Sequence, residues 1–361
     1  MNHDRASMAR LIAFYLPQFH PIPENDRWWG PGFTEWTNAA KARPLFRGHY
    51  QPHVPADLGF YDLRLPETRA AQAALAREYG IEGFCYYHYW FAGRRLLERP
   101  FNEVLASGQP DFPFCLCWAN ETWTGVWHGA PNRVLIEQTY PGESDYRAHF
   151  DALLPAFCDR RYIRVDGKPL FVIYRPQSIP DAPKVMQLWR TMAMEAGLPG
   201  LFLVGNDIHP SAAVPLGIDA CATFRLPPRR PWVSRRTPIK WLKRRIEVLA
   251  GRPTVYLYKD VFPSFMLPDT PGIETFPCIV PNWDNSPRSG KDGLVLHDST
   301  PELFRMHARE ALERVRGKPA GRNIVFIKSW NEWAEGNHLE PDLKFGHQYL
   351  EVLRQVFSPS D

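Results

Sequence analysis

Apolar residues fall into eight short runs along the chain: Leu11–Leu16, Gly83–Tyr87, Phe112–Trp118, Leu170–Tyr174, Leu201–Gly205, Ala220–Phe224, Phe276–Val280 and Ile324–Lys328. Each is about as long as a strand and lacks polar alternation, the pattern of strands buried on both faces. Between the runs lie segments with apolar residues at helical spacing. Pro66 leads into Glu67–Tyr79 and Gly80 follows, a helix begun by proline and ended by glycine. Ser144–Phe157, Ala182–Ala196, Thr300–Arg316 and His347–Phe357 read likewise. Strands alternating with helices predict a parallel sheet with right-handed crossovers. Eight strands in 361 residues favour an α/β fold of the closed (β/α)8 TIM-barrel type over a doubly wound sheet. No G-x-G-x-x-G follows the first strand to support a dinucleotide fold. The expectation is a single catalytic domain over residues 1–361.

Two segments break the alternation. Residues 17–66 form a long insertion after strand one, rich in Pro, Trp and His. Residues 226–252 follow strand six and carry nine basic residues against one acidic, Glu247. This insertion changes the reading of charge. The chain is +4 overall, but without 226–252 it holds 34 basic against 38 acidic residues. The barrel is therefore slightly acidic, and nucleic acid is not an expected partner. Ile239, Leu242, Ile246 and Leu249 recur at helical spacing opposite the basic face. Such a helix suits peripheral contact with an anionic membrane or a lipid-linked glycan, though a solvated lid or subunit contact is the favoured reading.

Compartment is read from cysteines and from the N-terminal run. Leu11–Leu16 is too short for the apolar region of a signal peptide, and no stretch approaches the roughly 20 apolar residues that span a bilayer. Five of six cysteines sit in or beside apolar runs; Cys158 is the exception. Cys115-Leu-Cys117 puts two thiols on one strand face, with no second Cys/His pair at zinc-ligand spacing. Buried reduced thiols point to the cytoplasm, with membrane-peripheral contact if the basic segment docks.

The 13 Trp and 14% aromatic content exceed what a core needs. In a barrel the chemistry gathers at the C-terminal strand ends. Strand one ends in Tyr15, Gln18 and His20, and the loop behind it adds Trp28, Trp29, Glu35 and Trp36. Strand two ends in Tyr87, His88, Tyr89 and Trp90. Strand three gives Trp118, Asn120, Glu121 and Trp123; strand four, Tyr174 and Arg175; strand five, Asn206. Strand seven gives Asn282, Trp283 and Asp284. Strand eight ends in Trp330, Asn331, Glu332, Trp333, Glu335, His338 and Glu340. Sugars ask for this mixture, since amides and carboxylates bond hydroxyls while rings pack on C–H faces. All of these are candidate substrate contacts. Glu332 and Glu335 are the candidate catalytic pair, because glycosidic cleavage needs two carboxyl groups with different tasks. Desolvation by neighbouring indoles would raise one of the two pKa values, as a general acid requires.

At this point several motifs resemble a known family. Residues 14–38 read F-Y-L-P-Q-F-H-P-I-P-E-N-D-R-W-W-G-P-G-F-T-E-W-T-N. Further on come G-H-Y-Q-P-H (48–53), Y-Y-H-Y-W (86–90), W-A-N-E (118–121) and W-N-E-W-A-E-G (330–336). Together these resemble the WbsX-type family, labelled glycosyltransferases of O-antigen or other surface polysaccharide. The barrel and strand-eight motif are similar to those of glycoside hydrolase family 99, the endo-α-mannosidases and α-mannanases. That resemblance implies that Glu332 acts as a base on the donor's 2-hydroxyl, giving a 1,2-anhydro sugar with overall retention. It implies that Glu335 is the general acid and later the base. The donor's 2-hydroxyl would then be trans to the leaving group, as in α-mannosides.

Three readings stand beside one another. One is a retaining glycan-cleaving or transglycosylating enzyme, the second a sugar-nucleotide glycosyltransferase, the third a non-catalytic glycan-binding barrel. The first is favoured because the chain has neither a D-x-D motif nor a glycine-rich phosphate loop. No cofactor and no metal are expected. His20, His49, His53 and His88 lie in the loop motifs and are read as hydroxyl contacts rather than zinc ligands.

Overall fold

The computed structural model describes residues 9–125, 130–229 and 251–358. Eight parallel strands close on themselves: β1 (Arg10–Tyr15), β2 (Gly83–Phe91), β3 (Phe114–Trp118), β4 (Lys168–Ile173), β5 (Phe202–Gly205), β6 (Ala220–Thr223), β7 (Glu274–Ile279) and β8 (Ile324–Ile327). Each pairs with its sequence neighbours, and β8 returns to β1 through Arg10↔Ile324 to Ala13↔Ile327. This is the (β/α)8 barrel expected from the eight runs. Its strands are buried on both faces, which is why they read as continuous apolar stretches. Gly83 opens β2 because the strand passes close beside its neighbour; a Cβ there would meet the Pro113 carbonyl oxygen at 2.4 Å.

The helices lie over the barrel. The loop after β1 contains α1 (Pro23–Trp29) and α2 (Glu35–Lys41), and α3 (Pro66–Glu78) leads into β2. Then follow α4 (Arg99–Ser107), α5 (Glu143–Phe157) and α6 (Ala182–Glu195). A single turn, α7 (Ser286–Ser289), follows β7; α8 (Pro301–Val315) precedes β8, and α9 (Gln348–Phe357) closes the chain. Five of these match the sequence-predicted helices to within a residue or two. The other four went unread because they are short and sit among prolines and aromatics.

Two additions shape the mouth. A hairpin pairs Trp123–Gly125 with Ala130–Ile136 after β3. A small parallel pair, Thr254–Leu257 with Leu294–His297, covers a second apolar cluster that includes Tyr258, Phe265 and Trp283. Of the basic segment, residues 230–250 lie outside the described residues. All six cysteines are free, five of them buried and Cys158 exposed.

Candidate active site

Pleat parity decides which strand-end residues reach the mouth. On β1, Phe14 points inward, where its ring stacks on Tyr87 at 5.6 Å; Tyr15 points outward and donates to Gln72 of α3 at 2.7 Å. On β2, Tyr87 and Tyr89 line the cleft, whereas His88 and Trp90 face α5. His88 Nε2 meets His149 Nε2 at 2.9 Å, and Trp90 stacks on the His149 ring. On β3, Trp118 packs outward against Trp189.

The floor of the mouth is Lys328, one residue past β8. Its ammonium lies 2.9 Å from the Tyr87 hydroxyl and 3.3 Å from Glu332 Oε1, with the rings of Phe14, Tyr87 and Trp283 around it. The Tyr87 hydroxyl donates to the same Glu332 oxygen at 3.0 Å. Burial alone would raise the Glu332 pKa, but the Lys328 charge and further hydrogen bonds outweigh it, and the carboxyl titrates below its ordinary range. The Lys328 ammonium is stabilised in turn, chiefly by Glu332, against a burial that opposes it.

Glu335 behaves oppositely. Burial and the adjacent Glu332 charge push it up to about 8, against the pull of Arg288. Arg288 of α7 forks between loops. Its Nη1 donates to Glu335 Oε1 at 2.7 Å and its Nη2 to Glu35 Oε1 at 2.5 Å. Glu35, the first residue of α2, also accepts the Ala334 backbone N–H at 3.0 Å. Its other oxygen is buried with no hydrogen-bond partner among the described residues. Burial raises the Glu35 carboxyl too, against Arg288.

The loop after β8 is held from behind. Asn331 clamps the end of β1, accepting Leu16 N–H at 2.7 Å and donating to Leu16 O at 3.1 Å. Glu340 collects donors from Tyr61, Gln72 and the Trp333 indole at 2.8, 2.6 and 2.6 Å. Gly336 has φ +58°, and a Cβ there would sit 2.9 Å from Asp284 Cβ, so glycine lets the loop after β8 press on the loop after β7.

Glu332 and Glu335 open into a cleft of about 480 Å³. Twelve of the residues expected at the site line it: Gln18, Trp29, Glu35, Tyr87, Tyr89, Glu121, Trp123, Tyr174, Arg175, Trp283, Glu332 and Glu335. The remaining candidates do not line it. Tyr15, His88, Trp90 and Trp118 face the helices by parity. Trp28 packs edge-on against Trp123, and Trp36 is buried among Phe19, Tyr61 and Trp333. Asn120 fixes the Arg175 backbone through both its N–H and its carbonyl. Asn206 is buried beside β4 and bonds Ile173 through its own backbone. Asp284 accepts from Gln51 and Ser286 and meets His49 at 2.6 Å. Trp330, Asn331, Trp333, His338, Glu340 and Asn282 make up the support beneath the loop. His20, His49 and His53 sit behind the cleft rather than in it: His20 Nδ1 meets Pro17 O at 3.1 Å, and His53 meets His338. The sequence reading passed over Arg288 and Lys328. Lys328 carried a visible signal, as the single charged residue ending an apolar run; Arg288 carried none.

The arrangement joins one ionised and one protonated carboxyl in an aromatic cleft, and the comparisons agree with it in fold. A structure titled glycoside hydrolase-like protein matches with a TM-score of 0.59 at 16% identity, covering 99% of this chain and 96% of that one. The GH99 endo-alpha-mannosidase from Bacteroides thetaiotaomicron, in complex with bis-tris-propane, matches with a TM-score of 0.57 at 15% identity, covering 96% of each chain. In sequence, the uncharacterized protein WxcX of Xanthomonas campestris pv. campestris is 39% identical over 355 residues in one strain and 41% over 358 in another. Both alignments cover 97% of this chain, which spans about half the length of these curated relatives. The family profile described as glycosyltransferase WbsX matches residues 11–353, and the chain belongs to that family.

Proposed function

We propose that the chain is a carbohydrate-active enzyme that breaks and remakes glycosidic bonds of a bacterial surface polysaccharide with retention of configuration, Glu332 and Glu335 carrying the chemistry. The observation that carries this reading is the divergence of the two carboxyls. Glu332 is held ionised by Lys328 and Tyr87, and Glu335 is held protonated to about pH 8. Both carboxyls come from one loop, three residues apart, and line the same cleft, so neither needs to attack the anomeric carbon from the opposite face. This favours neighbouring-group chemistry. Glu332 takes the proton of the donor's 2-hydroxyl as that oxygen attacks C1, while Glu335 protonates the leaving oxygen. In the second step ionised Glu335 deprotonates water or an acceptor hydroxyl that attacks C1. The C1–O2 bond breaks, and O2 takes its proton back from Glu332. The donor's 2-hydroxyl must be trans to the leaving group, as in an α-mannoside.

The family's name favours a sugar acceptor over water, because transfer and hydrolysis share the first half-reaction. No helix among the described residues is long and apolar enough to cross a membrane. Six free thiols support a reducing compartment, the cytoplasm. The test is incubation with α-mannosides and bacterial surface glycans, with and without acceptor, and product stereochemistry read by NMR. Retained products support the reading. Inverted products, or turnover only with a sugar nucleotide, overturn it.

A further inference from the structure

Three buried residues outside the cleft come together behind the loop after β8. His53 comes from the loop after β1, and His338 and Asp342 from the loop after β8. All three are buried, and their ligand-type atoms lie within 4.8 Å of one another. His338 Nδ1 sits 2.9 Å from the Glu340 carbonyl, which can only accept. Nδ1 therefore carries the ring proton, and the Nε2 lone pair faces outward. His53 Nδ1 meets that lone pair at 2.9 Å.

His53, His338 and Asp342 line a niche of about 20 Å³, room for a single ion or water. Asp342 is 5% exposed and has no Lys or Arg ion pair among the described residues; its nearest cationic-type atom is His338 Nε2, 4.0 Å from Oδ2. The other oxygen accepts the backbone N–H groups of Lys344 and Phe345. Asn282 lines the same niche, with its Oδ1 buried and unpartnered among the described residues. The free Oδ2 side of a buried carboxyl group, two imidazoles and a spare amide oxygen together offer a set of ligands for a cation.

The rings are also pre-set. Tyr50 stacks on His53 at 4.3 Å and Trp333 on His338 at 3.8 Å. The Glu340 carbonyl supplies the outer hydrogen bond that fixes a metal-binding imidazole. Two metal–nitrogen bonds of about 2.1 Å span 2.9 Å at about 90°, the angle between adjacent ligands of a six-coordinate ion. A set of two imidazoles and one carboxylate suits iron, cobalt, nickel or zinc rather than magnesium or calcium.

We propose that His53, His338 and Asp342, with Asn282 Oδ1 at the rim, bind one divalent transition-metal ion that pins the loop after β1 to the loop carrying Glu335. None of these residues lines the cleft, so the ion is structural and does not touch the reacting sugar.

The protein is purified without a histidine tag and its content of manganese through zinc is measured. About one ion per chain is expected. Protein stripped with EDTA should melt several degrees lower and recover on adding Zn²⁺ or Co²⁺. Co²⁺ should give visible d–d absorption, and His53→Gln and Asp342→Asn should each lose the band. Less than about a tenth of an ion per chain, with no melting shift and no Co²⁺ band, makes the pair a plain imidazole hydrogen bond and overturns the proposal. Full metal binding in both variants does the same. If the variants do not fold, strip-and-refill of the unaltered protein decides. None of these readouts needs turnover, so failure here leaves the glycosidic reading standing.

Discussion

Two carboxylate–arginine clusters share the barrel mouth. On the side of β7 and β8, Arg288 bridges Glu335 and Glu35 at 2.7 and 2.5 Å, with side-chain exposures of 14%, 7% and 1%. Across the cleft Arg175 bridges Glu121 and Asp207, both at 2.8 Å, with exposures of 42%, 36% and 52%. The bond lengths are alike, and burial separates the two. In water-like surroundings a charge pair contributes about 0–1 kcal/mol and is screened by salt. In the buried cluster an unpaired charge costs roughly 3–5 kcal/mol, so every proton there is coupled to its neighbours. Chemistry gathers where that coupling is strong, while the exposed cluster is free to bind and release.

The largest effects should come from the buried carboxyls. Glu332→Gln or Glu335→Gln should lower kcat by about a thousandfold or more, near the top of what acid–base groups contribute. Neither should unfold the protein. Glu335 titrates above its unfolded value, so the native state holds its extra proton up to about pH 8 and loses that stability as pH rises through it. Melting curves should therefore show Glu335→Gln gaining on the unaltered enzyme more at pH 9 than at pH 6. An equal gain at both pH values would remove the assigned protonation.

Arg288→Lys comes next. Lysine keeps the charge but cannot fork, so it holds one carboxylate or the other. A loss of about ten- to a hundredfold in kcat is expected from misplacing Glu335. An unchanged kcat would mean that the fork between Glu35 and Glu335 is idle.

Much of this was legible in the chain. The eight runs mark β1 to β8 to within about two residues, save that β2 runs four residues further to Phe91, because a strand buried on both faces cannot hide its composition. The pair Glu332 and Glu335 stood out through its indole surroundings. Which aromatic faces the cleft did not, since an unbroken run such as Tyr86–Trp90 looks the same from both faces. Parity becomes readable only when one residue is anchored, and here that needed the contacts of Phe14 with Tyr87 and of His88 with His149. Arg288 and Glu35 were harder still. They are 253 residues apart, joined by a contact between the loops after β1 and β7 that no local pattern encodes.

Glu35→Gln tests that contact through pH. Glu35 shares the Arg288 guanidinium with Glu335. Removing the Glu35 charge should pull the Glu335 pKa down, so the alkaline limb of kcat, expected near pH 8 in the unaltered enzyme, should move to lower pH. The acid limb, set by Glu332 below the ordinary carboxylate range, should stay in place. A limb that moves upward, or both limbs moving together, would contradict the assignment.

The smallest effect should come from the exposed cluster. Arg175→Gln removes a guanidinium that water already screens, and Asn120 still holds the backbone at that position through its two bonds to residue 175. The pair is too exposed to carry much stability, so melting should change little, by about what 1 kcal/mol or less gives. What the side chain offers is a donor at the cleft wall, where sugar hydroxyls displace water. KM should rise by up to about tenfold, the weight of one exposed hydrogen-bonding group, with kcat and both pH limbs unchanged. Steady-state kinetics across the pH range separates the outcomes. A shifted alkaline limb in this variant would show that Arg175 reaches Glu335 electrostatically, and that burial does not divide the mouth in two.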